Sequence, residues 1–150
     1  MRNSCLLAAA VAAVSVAASA QQVKPETQIK LRTSAYSLMN YNLSTLDAMA
    51  SGKRQLNKDE AVRAADMLAL LSTVPKGFFG EGTGGEPTRA KPEIWTNRAD
   101  FDAKMDKMVA EAQKLPAAAR TGDAGALKKA VHDVDTACGA CHDDYRTKRR

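Results

Sequence analysis

The sequence predicts an all-α fold, an antiparallel up-down four-helix bundle. Apolar residues recur at three- and four-residue steps in four segments, the spacing of one helix face, and no segment sustains the alternation of a strand. The connections are short except residues 75–92, as in a bundle of neighbouring antiparallel helices. The 150 residues are 45 % hydrophobic with 9 Gly and 5 Pro, which excludes disordered and collagen-like chains.

The first 20 residues have the pattern of a cleaved export signal. Arg2 supplies a positive start, residues 6–16 are almost uniformly apolar, and Ala18-Ser19-Ala20 supplies the small residues that a signal peptidase needs. The apolar stretch is too short to span a bilayer. We therefore expect cleavage after Ala20 and export to a bacterial periplasm, and no later run is apolar enough to predict a membrane span.

Cleavage changes both the charge and the cysteine count. The whole chain carries a formal charge of +5, and its mature part, residues 21–150, carries +4. Cys5 leaves with the signal, so the even pair Cys138 and Cys141 remains. A mature charge this small, in an exported protein, gives no support to a nucleic-acid partner. We expect residues 21–150 to form one bundle.

The first two helices follow from their end signals and apolar steps. The first begins near Pro25, where a first-turn proline is tolerated, and closes at Ser51-Gly52. Its apolar positions are Ile29, Ala35, Tyr36, Met39, Leu43, Leu46 and Met49. The second begins at Asn57 or Lys58 and runs up to Pro75, with apolar positions at Ala61, Ala64, Ala65, Leu68 and Leu71.

The third and fourth helices occupy the second half of the chain. The third ends before Pro116 and carries Ala99, Met105, Met108, Val109, Ala112 and Leu115. The fourth opens at Gly122-Asp123, with Asp123 as its N-cap. Its apolar positions alternate steps of four and three, the rhythm of a helix packed in a bundle, at Leu127, Val131, Val134, Cys138, Cys141 and Tyr145.

The long connection contains a glycine pattern that formally matches G-x-G-x-x-G, over residues 80–85. A dinucleotide site needs a strand before this pattern and a helix that opens at it. Here a helical pattern precedes it and Glu86-Pro87 follows, so we predict a flexible crossover.

Residues 138–142, Cys-Gly-Ala-Cys-His, form the C-x-x-C-H signal for covalent attachment of c-type haem. On a helix, Cys138 and Cys141 stand one turn apart on one face, with His142 beside them. Each thiol can add to a haem vinyl group, and the imidazole can ligate the iron. We expect one covalent haem c per chain, with His142 as the metal ligand.

Other roles for the two cysteines explain less of the sequence than haem attachment does. A disulfide leaves His142 without a role, and a thioredoxin-like pair requires a βαβ context that the sequence lacks. A zinc site needs a fourth ligand. The other histidine, His132, would lie about 15 Å away along a continuous helix, too far to share the metal.

Three stretches resemble cytochrome c′, the class II c-type cytochrome family: residues 138–146, residues 91–95, and Lys24-Pro25-Glu26 followed by Arg32. The resemblance covers essentially the whole mature chain, and the position of C-x-x-C-H near the C-terminus is its most specific part. It implies a five-coordinate, high-spin haem with an open distal face that binds nitric oxide and carbon monoxide, often in a homodimer.

The resemblance also implies roles for individual residues. Cys138 and Cys141 hold the haem, and His142 is the fifth ligand of the iron. Arg146 matches the family's basic residue over the proximal face, and Arg32 matches an arginine placed near a haem propionate.

Tyr36 falls at the family's distal position, where the low-spin cytochromes c-556 carry a methionine ligand. A phenol, with its pKa of about 10, is a poor ligand without activation, so Tyr36 favours an open sixth site. Two alternatives stay open: Tyr36 is ordinary packing, or Met39 closes the iron in a low-spin electron carrier. Met49 is a weaker candidate for that ligand.

These expectations describe a periplasmic haem protein that binds NO and CO and undergoes one-electron redox, and not an enzyme. A haem peroxidase requires a distal His/Arg pair, whereas His132 lies on the haem-bearing helix. The basic tail, residues 146–150, either attracts an acidic redox partner or complements the helix dipole in solvent. A homodimer is expected from the family alone.

Overall fold

The structure is a computed structural model that describes residues 23–148. The predicted signal, residues 1–20, and its cleavage site lie outside the described residues. Within residues 23–148, no helix is long and apolar enough to cross a membrane.

Four long helices form the molecule, which confirms the predicted all-α bundle. They are α1 (Pro25–Ala50), α2 (Lys58–Ser72), α4 (Arg98–Ala112) and α6 (Ala124–Tyr145). Two short helices, α3 (Glu93–Thr96) and α5 (Leu115–Thr121), and a 3-10 turn at Pro75–Phe78 lie in the connections. Each long helix packs against two others in the ring α1–α2–α4–α6. The described chain contains no strand, only an isolated bridge between Ala90 and Arg146.

Helix boundaries follow local capping chemistry. The Asn57 side chain accepts a hydrogen bond from the Glu60 backbone N–H at 3.0 Å, and Asp123 accepts one from Ala126 at 2.6 Å. Both caps satisfy N–H groups that a helix start otherwise leaves unpaired. The predicted starts of α2 and α6 are therefore confirmed.

The predicted third helix is wrong at its C-terminal end. Instead of running up to Pro116, α4 ends at Ala112, and α5 begins at Leu115 with Pro116 in its first turn. A proline in the first turn costs no intrahelical hydrogen bond, so it begins a helix here and does not end one. Ala99, expected on the apolar face, is exposed.

The core divides into two clusters. The first is aliphatic and contains Leu46, Met49, Ala50, Ala61, Ala64, Ala65, Leu68, Ala112, Leu115, Ala119, Leu127, Val131 and Val134. The second is rich in aromatic residues and methionine and contains Met39, Phe79, Ile94, Phe101, Met105, Met108, Ala137 and Tyr145. Cys141 packs against the second cluster and Cys138 against both. The second cluster therefore packs against both cysteines of the C-x-x-C-H segment.

The glycine-rich crossover is anchored to α1 over residues 78–83, and the expected flexibility of the connection stays a prediction. Arg32 is 2 % exposed, and its guanidinium donates to the Phe78 carbonyl at 2.9 Å, to Thr83 Oγ1 at 2.7 Å and to the Thr83 carbonyl. The Gln28 side chain accepts from the Gly80 N–H at 3.0 Å. A buried guanidinium needs acceptors, and the loop backbone supplies them. A helix and a 3-10 turn precede the loop, so the strand of a dinucleotide motif is absent there.

Candidate haem-binding site

A cavity of about 670 Å³ lies among α1, α4, α6 and the crossover. This volume falls within the range of about 300–1,000 Å³ that is typical of cofactor and ligand pockets. All six residues predicted for the site line this one cavity: Arg32, Tyr36, Cys138, Cys141, His142 and Arg146.

The two cysteines lie one turn apart on α6, half-buried, and do not form a disulfide. Burial raises the pKa of the Cys138 thiol to about 11 and also raises the pKa of Cys141. Both therefore remain thiols near neutral pH, whereas redox pairs and zinc sites depend on thiolates. Within residues 23–148, no group of three or more His, Cys, Asp or Glu residues is arranged to hold a metal ion.

His142 presents a neutral imidazole to the cavity. Burial lowers its pKa, and the positive charges of Arg146 and Arg89 lower it further. The neutral form is the one that ligates iron. His132, on the same helix, is exposed and does not line the cavity. Of the two histidines in the sequence, His142 lines the cavity and His132 does not.

A short backbone clip fixes the chain directly after α6. The Lys91 N–H donates to the Tyr145 carbonyl at 3.1 Å, and the Thr147 N–H donates to the Arg89 carbonyl at 2.9 Å. These bonds flank the bridge between Ala90 and Arg146. The clip places Arg89 on the cavity wall with Arg146. Sequence patterns missed Arg89 because the pairing joins residues more than fifty positions apart.

On the α1 side of the cavity lie Tyr36 and Met39, both among its lining residues. The Tyr36 hydroxyl donates to Met105 Sδ at 3.7 Å. Burial raises the pKa of Tyr36 above its usual value, so the phenol is neutral. Met49 belongs to the aliphatic cluster and lies outside the lining.

Arg32 brings a buried positive charge to the same cavity. Its guanidinium lies 4.3 Å from the centroid of the Phe79 ring, in addition to its hydrogen bonds to the crossover. Among the described residues, no carboxylate forms an ion pair with it. Burial lowers its pKa, yet an arginine stays protonated in proteins. Within residues 23–148, Arg32 is therefore a cation at the cavity without a carboxylate partner.

Much of the remaining wall is apolar, although Ser37, Asn40 and Asp135 also line it, and the sequence analysis identified only part of the apolar set. Met105 and Met108 were expected as core positions of the third helix, whereas the crossover and α3 residues Phe79 and Ile94 were not singled out. The sequence feature that could have identified Phe79 and Ile94 is an apolar side chain within a glycine-rich or short segment. Two thiols, a neutral imidazole, a buried arginine that has no carboxylate partner within residues 23–148 and a largely apolar wall together fit a covalently attached haem.

Comparisons with known proteins identify the family of this chain. A family model described as cytochrome C′ matches residues 27–146. Cytochrome c′ of Rubrivivax gelatinosus is 38 % identical over 126 residues, which cover 83 % of this chain and 98 % of the relative. Cytochrome c′ of Alcaligenes xylosoxydans xylosoxydans is 36 % identical over 129 residues, covering 86 % and 100 %.

Solved structures show the same similarity in three dimensions. The crystal structure of the Rubrivivax gelatinosus cytochrome c′ matches with a TM-score of 0.79 at 37 % identity, over 83 % of this chain and 98 % of that one. A nitric oxide complex of a cytochrome c prime variant from Alcaligenes xylosoxidans matches with a TM-score of 0.78 at 36 % identity, over 85 % and 98 %. The protein belongs to the cytochrome c′ family and has that family's cofactor, covalently bound haem c with its iron.

Proposed function

We propose that this protein is a periplasmic gas-binding haem protein with five-coordinate iron, which binds NO and CO and undergoes one-electron redox. The observation that carries the proposal is Tyr36: a neutral phenol whose hydroxyl is hydrogen-bonded to Met105 lines the cavity at the predicted distal position. A neutral phenol is a poor iron ligand. The nitric oxide complex of the Alcaligenes relative supports NO as a ligand.

In this proposal, the α6 residues attach and hold the cofactor. Cys138 and Cys141 form the thioethers, and His142 supplies the fifth ligand through its neutral imidazole. The haem, when bound, supplies an iron that takes up a diatomic gas and exchanges one electron. The clip after α6 holds Arg146 over the His142 side of the cavity.

Arg32 is proposed to face the haem propionates. Its buried guanidinium has no carboxylate partner in the described chain, and a propionate would supply the missing negative charge. Pairing of a buried charge offsets part of the cost of its desolvation. The same side chain holds the crossover through Phe78 and Thr83, so it connects cofactor binding with loop position.

The apolar wall supports selectivity for ligands that bind iron without help from a hydrogen-bond donor. Phe79, Phe101, Met105 and Met108 are all buried and line the cavity. NO and CO bind ferrous iron without a distal donor, whereas dioxygen depends on one. We propose binding and redox and no enzymatic turnover, because the chemistry of a peroxidase needs a distal histidine and His132 does not line the cavity.

The alternative function is a low-spin electron carrier in which Met39 is the sixth ligand. Met39 is buried, lines the cavity and lies three residues after Tyr36. Substitution of Met39 by leucine separates the two functions, because Leu and Met have similar volumes. If the iron is five-coordinate, Met39→Leu leaves the ferric spectrum high-spin and unchanged. A change from a low-spin to a high-spin spectrum in Met39→Leu, with Met49→Leu unchanged, would establish the electron carrier instead.

The proposed periplasmic location rests on the export pattern of residues 1–20.

A homodimer is supported by apolar side chains that α1 and α2 expose: Leu31, Leu38 and Tyr41 on α1, and Met67 and Leu70 on α2. These two helices pack together, and Tyr41 and Leu70 are 70 % and 66 % exposed. Exposed apolar patches on paired helices are typical of protein interfaces.

Sedimentation tests the dimer. Leu70→Glu is expected to shift the protein from dimer to monomer, and Gln113→Glu, which adds the same charge at an exposed site on the end of α4, should leave the dimer intact. A dimer that survives Leu70→Glu would place the interface elsewhere.

A further inference from the structure

One hydrogen bond in the cavity joins α1 to α4. The Tyr36 hydroxyl donates to Met105 Sδ at 3.7 Å, and both side chains line the cavity. Within residues 23–148, the Tyr36 hydroxyl makes no other hydrogen bond. Buried hydroxyl groups need a partner, and Met105 provides it.

The direction of this bond matters because a phenol has a single hydrogen to donate. While that hydrogen points to Met105, it is not available to a molecule bound elsewhere in the cavity. The phenol also stays protonated, because burial raises the pKa of Tyr36 above its usual value. Tyr36 is therefore a potential donor on the α1 side of the cavity, and a side chain of the protein already accepts its hydrogen.

We propose that Met105 is a positioning residue that keeps the Tyr36 hydroxyl from donating to a gas ligand, so that Tyr36 acts on that ligand as an apolar side chain. This inference rests on the proposed function, in which the ligand binds on the Tyr36 side. It makes Met105 a determinant of selectivity: with Met105 present, ligands that depend on a donor gain nothing from Tyr36.

A thioether is a weak hydrogen-bond acceptor, so Met105 holds the Tyr36 hydroxyl only against other weak acceptors. Bound CO and NO are also weak acceptors, so they do not displace Met105 Sδ as the acceptor of the Tyr36 hydrogen bond. Removal of the sulfur leaves the hydroxyl without a partner in a buried wall, which is unfavourable. The hydroxyl then turns to the nearest acceptor, and in a ligand complex that acceptor is the bound gas.

Met108 offers a matched control. It lies on the same helix, is buried and lines the same cavity, but it makes no hydrogen bond with Tyr36. Met→Leu substitutions conserve volume, so Met105→Leu and Met108→Leu disturb packing to a similar extent. A difference between them reports the sulfur of Met105 as an acceptor.

The test uses the haem-loaded protein with CO as the probe, in the wild type and four variants: Met105→Leu, Met108→Leu, Tyr36→Phe and Tyr36→Phe/Met105→Leu. Met105→Leu is expected to lower the C–O stretching frequency of the ferrous complex. It is also expected to slow CO dissociation about fivefold, the effect of one ordinary hydrogen bond. Met108→Leu should shift the frequency less than Met105→Leu does, Tyr36→Phe should match the wild-type frequency, and the double variant should lose the shift that Met105→Leu causes through the hydroxyl.

Three results would overturn the proposal. The first is a shift in Tyr36→Phe alone, which means that the wild-type hydroxyl already contacts the ligand. The second is an equal effect of Met105→Leu and Met108→Leu, and the third is an effect that persists in the double variant. Tyr36→Phe keeps the proposal testable even if Met105→Leu does not fold.

A second readout needs no gas. Ultraviolet resonance Raman of the ferric protein reports the hydrogen-bond state of tyrosine, and Met105→Leu should change it where Met108→Leu does not. If the ferrous wild-type protein does not bind CO, the proposed function is wrong. The Raman difference between Met105→Leu and Met108→Leu then still shows whether Met105 accepts the hydrogen bond from Tyr36.

Discussion

Arg32 and Thr83 are 51 positions apart and are joined by two hydrogen bonds within the core. One runs from the guanidinium to Thr83 Oγ1 at 2.7 Å, and the other runs to the Thr83 carbonyl. The Thr83 hydroxyl in turn donates to the Gly80 carbonyl at 2.8 Å. This pair ties the glycine-rich crossover to α1 at the edge of the haem cavity.

Thr83→Val tests this connection. The substitution keeps the shape of the side chain but removes an acceptor for Arg32 and a donor to Gly80, in a site with no solvent exposure. We expect a loss of about 1–3 kcal/mol in the free energy of unfolding, the usual cost of leaving a buried polar group unpaired. Urea unfolding followed by far-ultraviolet circular dichroism measures it. Thr73→Val, at an exposed site, should change stability by less than about 0.5 kcal/mol.

Gly84 is predicted to be intolerant of a side chain. A Cβ at this position would lie 2.6 Å from Trp95 Cζ3. The indole is held in place because its N–H donates to the carbonyls of Phe79 at 3.1 Å and Gly80 at 3.0 Å. Gly84→Ala should therefore cost about 1–3 kcal/mol of unfolding free energy, the range for overpacking.

Gly77→Ala is the control for that substitution, since its Cβ would meet nothing within 4 Å. Thermal unfolding of the two variants side by side makes the comparison. Equal melting temperatures for Gly84→Ala and Gly77→Ala would show that the Trp95 ring moves freely.

Alkaline pH is expected to destabilise the fold through Tyr145. Its hydroxyl donates to Asp100 Oδ2 at 2.5 Å, and this hydrogen bond raises the pKa of Tyr145 to about 12. An unfolded phenol ionises near pH 10. Folding therefore favours the protonated form, so the contribution is complete below about pH 10 and is lost as the pH rises towards 12.

Urea unfolding at pH 9 and pH 11 checks this dependence. Tyr145→Phe removes the titrating group, so its stability should fall less between the two values than that of the wild type. Tyr41→Phe is the control, because that side chain is 70 % exposed. Identical pH dependence in the wild type and Tyr145→Phe would contradict the prediction.

Export makes a prediction about the N-terminus. When the full chain is expressed with the machinery for c-type haem attachment, the periplasmic product should begin at Gln21. Intact mass spectrometry should give the mass of residues 21–150 plus one haem. A product that keeps residues 1–20 would contradict cleavage after Ala20.

Local chemistry explains what the sequence was able to predict. The caps at Asn57 and Asp123 act within three residues, and the C-x-x-C-H motif lies within a single helix, so each is visible in a short window. The apolar steps of α6 likewise depend only on helical geometry. From these features the sequence predicted which face of α6 lines the cavity.

Features that join distant segments were not predictable in the same way. The hydrogen bond between Tyr36 and Met105, the anchoring of the crossover by Arg32 and the placement of Arg89 all depend on which helices become neighbours. The end of α4 at Ala112 was also missed, because no glycine or proline marks it and Pro116 starts the next helix. Tertiary contacts decide such points.

The coordination state of the iron is the central claim, and optical spectra of the mature wild-type protein test it most directly. Ferric and ferrous spectra should be recorded with and without CO and NO. The account predicts high-spin, five-coordinate spectra in both oxidation states, with ready uptake of CO by the ferrous protein. A six-coordinate low-spin spectrum that does not change when CO is added would contradict it.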